Sequence, residues 1–170
     1  MALIKKVGNK FPQFGEGCWL ADNATVLGDV IMGKECTVWF NAVLRGDVHY
    51  IRIGDRTNIQ DGAIIHCTYQ KAPVNIGSEV SIAHRAIVHG CTIADRVLIG
   101  MGAIIMDDAI VQEGAVIAAG AVVLAGTVVE KDSIYAGVPA KRVKSTGPEM
   151  EAAITRIAGN YPKYASWYSD

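Results

Sequence analysis

The stretch IADRVLIGMGAIIMDDAIVQEGAVIAAGAVVLAGTVV, residues 93–129, places an aliphatic residue at every sixth position: Ile93, Ile99, Ile105, Val111, Ile117, Val123 and Val129. Four places after each of the first six stands a small or branched residue, namely Val97, Ala103, Ala109, Ala115, Ala121 and Thr127. Read backwards, the same ruler passes through Val88, Ile82, Ile76, Ile65, Ile59, Ile53, Leu44, Val38, Met32 and Val26. The small partners there are Thr92, Ala86, Val80, Ala63, Thr57, Val48, Ala42, Cys36 and Val30, and glycine often follows the aliphatic residue, as at Gly33, Gly54, Gly77 and Gly100. A short fixed period means a solenoid, in which each unit buries its apolar side only by stacking on its neighbours. Three repeats then make one triangular coil, and coils stack about 4.8 Å apart.

Outside the repeat the chain is short. The 170 residues are 51% hydrophobic, which suits a long axial core and excludes a disordered chain. Residues 1–23 read as an N-terminal cap, 24–140 as the solenoid, and 141–170 as a C-terminal helix and tail. Pro148 to about Ala158 predicts one amphipathic helix, with proline in its first turn, Gly159 as its stop, and Ile154 and Ile157 facing the coils. The tail NYPKYASWYSD is aromatic enough to pack on a surface, but which one the sequence does not say.

A net charge of -1 and a pI of about 6.4 give no electrostatic reason to expect nucleic acid or an anionic membrane as partner. No apolar run is long enough to span a bilayer, and MALIKKVGNK lacks the apolar centre of a signal peptide, so a cytoplasmic protein is expected. The four cysteines, Cys18, Cys36, Cys67 and Cys91, are too scattered for a secreted disulfide framework and are expected as thiols.

Numbering the repeats around the triangle assigns Val26, Leu44, Ile65, Val88, Ile105 and Val123 to one face. The three irregular spacings, after Leu44, Ile65 and Val88, all follow this face, so one corner should carry loops around Val48 to Arg52 and Cys67 to Pro73. Immediately after the aliphatic residues come Arg45, His66 and His89, a ladder on three successive coils. His66 and His89 should project outward about 4.8 Å apart, close enough for two imidazoles to share one metal at bonds near 2 Å. His84 falls on a different face beside Asp61, so it would join them only from another subunit of a three-fold assembly. Three imidazoles leave a coordination position open, as catalytic zinc sites do. Solvated surface histidines are the alternative reading, and Cys67 or Cys91 would be softer ligands, although strand alternation turns Cys67 away from the side His66 faces.

The run AVLRGDVHYIRIGDRTNIQDGAIIH with the later AHRAIVHG resembles the gamma-class carbonic anhydrases over roughly residues 10–165. The resemblance implies an all-β solenoid, a left-handed parallel β-helix with a C-terminal α-helix, where general chirality rules would have suggested a right-handed crossover. It implies a homotrimer that binds Zn2+, with Fe2+ or Co2+ fitting the same ligands, through His66, His84 and His89. Metal-bound hydroxide would convert CO2 to bicarbonate. Carried over position by position, Arg45 and Asp47 resemble an intersubunit ion pair, and Asn58, Gln60 and Asp61 resemble the polar residues that support the pocket. The family's archetype has glutamates where Val48 stands and on the loop that here reads CTYQKAP. His49 is the nearest substitute proton carrier, or a loop residue packed on a neighbour; Tyr69 and Tyr164 are candidate pocket-lining residues. Two other functions suit the same chain: a metal-binding relative with little anhydrase activity, acting as scaffold or thioester hydrolase, and a hexapeptide acyltransferase using acyl-CoA, towards which YAGVPAKRV points.

Overall fold

The computed structural model describes residues 1–168, and in it the six-residue period becomes a stack of very short parallel strands. The architecture is a left-handed parallel β-helix closed at its C-terminal end by an antiparallel strand, Lys141–Ser145, and followed by a single α-helix, Pro148–Ala165. The first face carries Val26, Leu44, Ile65, Val88, Ile105 and Val123 on successive rungs, in the register the repeat count requires. The second stacks Met32, Ile53, Ile76, Ile93, Val111 and Val129. The third stacks Leu20, Val38, Ile59, Ile82, Ile99, Ile117 and Tyr135.

Each two-residue strand turns one side chain inward, and from Val26 to Val129 these aliphatic residues are at most 5% exposed. Full burial of such a side chain contributes about 1.5–3 kcal/mol, so the axial column is the main source of stability. The small residues occupy the interior corners, where two faces converge and little volume is left. Ala42, Ala63, Ala86, Ala103 and Ala121 line one corner, and Cys36, Thr57, Val80, Val97 and Ala115 another. At the third corner the count of four holds at Val30 and Ala109 but fails on the coils with irregular spacing. Thr92 is exposed and Val48 only partly buried against the core, and the inward places are taken by Ile51 and Cys91, with Val74 between them. Insertions at that corner change the strand phase, and alternation then reassigns the inward side.

The two long spacings take different forms. The first lies inside a continuous strand, Val43–Ile53, where Gly28 pairs with Gly46 but Val30 with Ile51, so Asp47–Tyr50 bulge outward rather than forming the expected loop. The second is a turn closed by a bridge between Thr68 and Ala72. Both lie at the same corner, as the spacing predicts.

The helix extends beyond Ala158, through Gly159 and Pro162 to Ala165. Its buried residues Ile154, Ala158 and Ala165 dock it on the third face, which overrides the local stop signal, and Gly159 faces open space. Beneath it the outward-facing Thr37, Asn58 and Ser81 are buried to 1% exposure or less. The aromatic tail finds its target in Trp19, Trp39 and Phe40: Tyr161 lies 5.3 Å from Trp39, and Tyr168 lies 5.5 Å from Trp19 and 5.6 Å from Phe40. The tail residues 169–170 lie outside the described residues. No helix among the described residues is long and apolar enough to cross a membrane.

Candidate metal centre

The outward side of the first face has no helix over it. An apolar column of Val43, Ile64, Ile87, Ile104 and Val122 runs along it, with Ile64 41% exposed. Beside that column, Arg45, His66 and His89 stand in register on three rungs. His66 Nδ1 and His89 Nε2 are 3.1 Å apart. Two nitrogens bound to one ion at about 2.0–2.1 Å with a tetrahedral angle sit roughly 3.3 Å apart, so this pair is spaced as two ligands of one metal would be.

Carboxylates surround the pair. Asp107 Oδ1 lies 2.5 Å from His89 Nδ1, and the Thr68 hydroxyl donates to the other Asp107 oxygen. An Nδ1–H held by Asp107 fixes the tautomer of His89 that leaves the Nε2 lone pair directed at His66. Burial alone would raise the Asp107 carboxyl, but hydrogen bonds from Thr68 and His89 and the nearby His89 charge bring it below the ordinary carboxylate value. Asp47 contacts His66 Nε2 at 3.1 Å, and hydrogen bonds from Arg45 and His66 together with the Arg45 charge outweigh burial to hold it low as well. Burial is the main cause that keeps His66 below the usual histidine value, which favours the neutral imidazole a metal requires.

Arg45 Nη1 and Asp47 Oδ2 are 2.6 Å apart within one chain. Two residues apart on one strand, they share its outward side, so within the single chain the two side chains meet over one hydrogen bond. Cys67 and Cys91 face the core at 1% and 2% exposure, where burial pushes their thiols up to about 11 and about 12; neither presents a thiolate to the histidines.

His84 sits on the third face, as its place in the repeat predicts, with Nδ1 2.9 Å from Asp61 Oδ2 and both side chains more than 40% exposed. Its Nε2 is thereby left for a ligand. Gln60 donates to Asn58 Oδ1 at 2.9 Å, and Asn58 donates to Ser81 Oγ at 2.8 Å, a buried polar chain running toward His84. Gln60 and His84 line a mainly apolar cleft of about 390 Å3 between the third face and the helix, with Leu98, Met101, Ile157 and Tyr164 among its walls. Tyr164 is among the walls of this cleft, whereas Tyr69 is 66% exposed on its turn. His49 accepts the Tyr50 N–H on Nδ1 at 2.9 Å and opens, with Asp47, onto a separate cleft of about 340 Å3.

Among the described residues of a single chain, no three His, Cys, Asp or Glu side chains converge on one point. The structure brings His66 and His89 together and leaves His84 on another face. Asp107 and Thr68 escaped the reading of the repeat. The signal was present: Asp107 follows Ile105 by two places, as Asp61 follows Ile59 and stands beside His84.

A parallel β-helix with in-register histidines on one face defines a hexapeptide-repeat protein, and the repeat description "Bacterial transferase hexapeptide (six repeats)" matches residues 11–46 and 90–125. The chain belongs to the gamma-class carbonic anhydrase family. It is 50% identical over 144 residues to "Probable carbonic anhydrase" of Methanocaldococcus jannaschii, a match covering 85% of this chain and 90% of that protein. It is 41% identical over 167 residues to "Gamma carbonic anhydrase 3, mitochondrial" of Arabidopsis thaliana, covering 95% of this chain and 65% of the relative. Among solved structures, a hexapeptide transferase family protein of Anaplasma phagocytophilum superposes with a TM-score of 0.93 at 34% identity, over 98% of each chain.

Proposed function

We propose that this chain forms a cytoplasmic homotrimer that hydrates CO2 to bicarbonate at a metal shared between subunits. The observation that carries the reading is the His66–His89 nitrogen pair, 3.1 Å apart and set in register by the rungs. His84 of a neighbouring subunit would supply the third imidazole, and the uncovered apolar column beside the pair is the surface that a second copy of this chain would bury. Zn2+ suits three imidazoles, and Fe2+ or Co2+ fit the same donors. When bound, such an ion acts as a Lewis acid and brings the pKa of water from about 15.7 toward about 7.

The chain's own residues do the rest. Asp107 and Asp61 hold the Nδ1 atoms of His89 and His84 and so aim the opposite nitrogens. Gln60, braced by Asn58, keeps a polar amide at the edge of an apolar cleft suited to an uncharged gas. His49 is the proton carrier in this reading: it shares a cleft with Asp47, which bonds His66, and its free Nε2 is available to exchange a proton with solvent. Stopped-flow CO2 hydration by zinc- and iron-loaded protein tests the proposal. Activity should stand above background, disappear in His66→Ala and fall several-fold in His49→Ala. A background rate with metal fully bound overturns it and leaves the scaffold or thioester hydrolase, the reading favoured by the acid-free turn Cys67–Pro73.

The similarity to a hexapeptide transferase family protein favours acyl transfer from acyl-CoA as a second reading. Tight coenzyme A binding to metal-free protein would support that reading, whereas stoichiometric metal would support the first.

A further inference from the structure

Cys18 and Cys36 lie far along the chain from the histidines and play no part in the proposed hydration chemistry. Each immediately precedes a rung of the third face: Trp19 and Leu20 pair in parallel with Thr37 and Val38, and the Trp19 N–H donates to the Cys36 carbonyl at 2.9 Å. The ladder therefore stacks one cysteine on the other. In-register residues on neighbouring rungs stand about 4.8 Å apart, inside the roughly 4.4–6.8 Å between Cα atoms that a disulfide spans. The two thiols have equivalent surroundings one rung apart, because Gly33 and Gly54 follow the paired Met32 and Ile53. Cys18 approaches the Gly33 carbonyl and Cys36 the Gly54 carbonyl, each at 3.0 Å.

The two sulfurs are unequal. Cys36 is fully buried, whereas Cys18 is half-buried at the end of the sheet, where its rung has a neighbour on one side only. The neighbouring Cys36 thiol is the main cause that lowers the Cys18 thiol to about 7, against burial and the nearby Asp55 charge. The same contact, with burial, pushes Cys36 far up. An accessible, easily ionised thiol thus stands against an enclosed one that keeps its proton until it is needed.

We propose that Cys18 and Cys36 form a reversible redox site, at which a low-molecular-weight disulfide such as oxidised glutathione converts the dithiol to a disulfide joining the first two rungs of the third face. The Cys18 thiolate attacks one sulfur of the oxidant, forming a mixed disulfide and expelling one small thiolate. Cys36 then loses its proton and its sulfur attacks Cys18 Sγ, expelling the second small thiol; two protein thiols are oxidised and one small disulfide is reduced to two thiols. Parallel stacking holds the two Cβ atoms about a rung apart, whereas a disulfide draws them to about 3.8 Å. The terminal rung must move inward to close the bond, so the bond should be readily reduced. That movement displaces Trp19, which lies 4.8 Å from Trp39 and 5.5 Å from Tyr168.

Thiol titration in denaturant, before and after treatment of the native protein with oxidised glutathione, tests this. Of the four cysteines two should disappear, peptide mapping should join Cys18 to Cys36, and tryptophan emission should change and recover with dithiothreitol. Cys67 and Cys91, buried and difficult to ionise, should remain free. Cys36→Ser should stop at a stable glutathione adduct on Cys18, and Cys18→Ser should take up none. Four thiols surviving in the wild type, or a glutathione adduct there that never resolves to the internal bond, overturns the proposal. Because the readouts are covalent and spectroscopic, they do not depend on the hydration reading.

Discussion

Asp107 is the carboxylate on which the aim of His89 depends, since it takes the Nδ1 side of the ring and is itself braced by Thr68. Asp107→Asn should weaken zinc binding about 10–100-fold, measured by competition with a chelator, while the Tm of the metal-free protein falls by no more than a few degrees. Asp29 offers a test away from the histidines. Its carboxyl is held below the ordinary value because hydrogen bonds and charge from Arg52 and Lys10 outweigh burial. A depressed folded-state pKa stabilises above the unfolded value of about 3.9, and that contribution is lost as pH falls through the lower folded value. Asp29→Asn should therefore lower Tm at pH 7 by a few degrees, on the order of 1 kcal/mol, and in a pH series of thermal melts the deficit should shrink as pH falls below about 3.9 and vanish below the folded-state value. His66, His84, His89 and Asp61 could be placed from the sequence because each sits at a fixed offset from an aliphatic marker. Ring orientation and tautomer could not, because they depend on Asp107 and Asp47, which arrive from other rungs.

On the scale of strands and helix, the coils stack too closely at some turns to admit a side chain, and Gly77 is one such place. A Cβ on Gly77 would lie 2.7 Å from the Asp95 backbone nitrogen and 2.8 Å from the Ala94 carbonyl carbon, so backbone on the next rung would have to move. Gly77→Ala should cost about 1–3 kcal/mol in chemical unfolding, although alanine is ordinarily the better residue in regular structure. The glycines that follow the aliphatic residues at Gly33, Gly54 and Gly77 were visible in the repeat, and close stacking is what they serve. Element ends were less visible. The helix outruns its predicted stop at Gly159 because Trp39, just after a strand more than a hundred residues earlier, offers Tyr161 an edge-on partner. Local signals cannot register a contact so distant in the chain. The corner bulge Asp47–Tyr50 shows the same limit: counting residues finds the insertion, but pairing decides that the strand continues through it.

For the whole molecule, the proposed centre is complete only when His84 of one subunit meets His66 and His89 of another. Sedimentation should show a trimer, and metal content should follow it. His84→Ala should leave the trimer intact while stoichiometric zinc is lost, because Asp61 and His84 are more than 40% exposed on the single chain and contribute little to its core. A stable monomer that retains metal would refute the shared site. The apolar column Val43, Ile64, Ile87, Ile104 and Val122 makes association physically reasonable, since an uncovered aliphatic ladder of this length gains by leaving water.

The sequence by itself determined the coil: its period, the membership of each face, and the register that sets His66 beside His89, because a solenoid makes spatial neighbours of residues one coil apart and a fixed period makes that separation countable. Only the tertiary structure decided the rest. Where the period breaks, the inward side passes to Ile51 and Cys91. The aromatic tail settles on Trp19, Trp39 and Phe40, and Asp107 turns the His89 ring. Each of these depends on side chains meeting in space without a repeating separation in sequence, and such contacts leave no period to read.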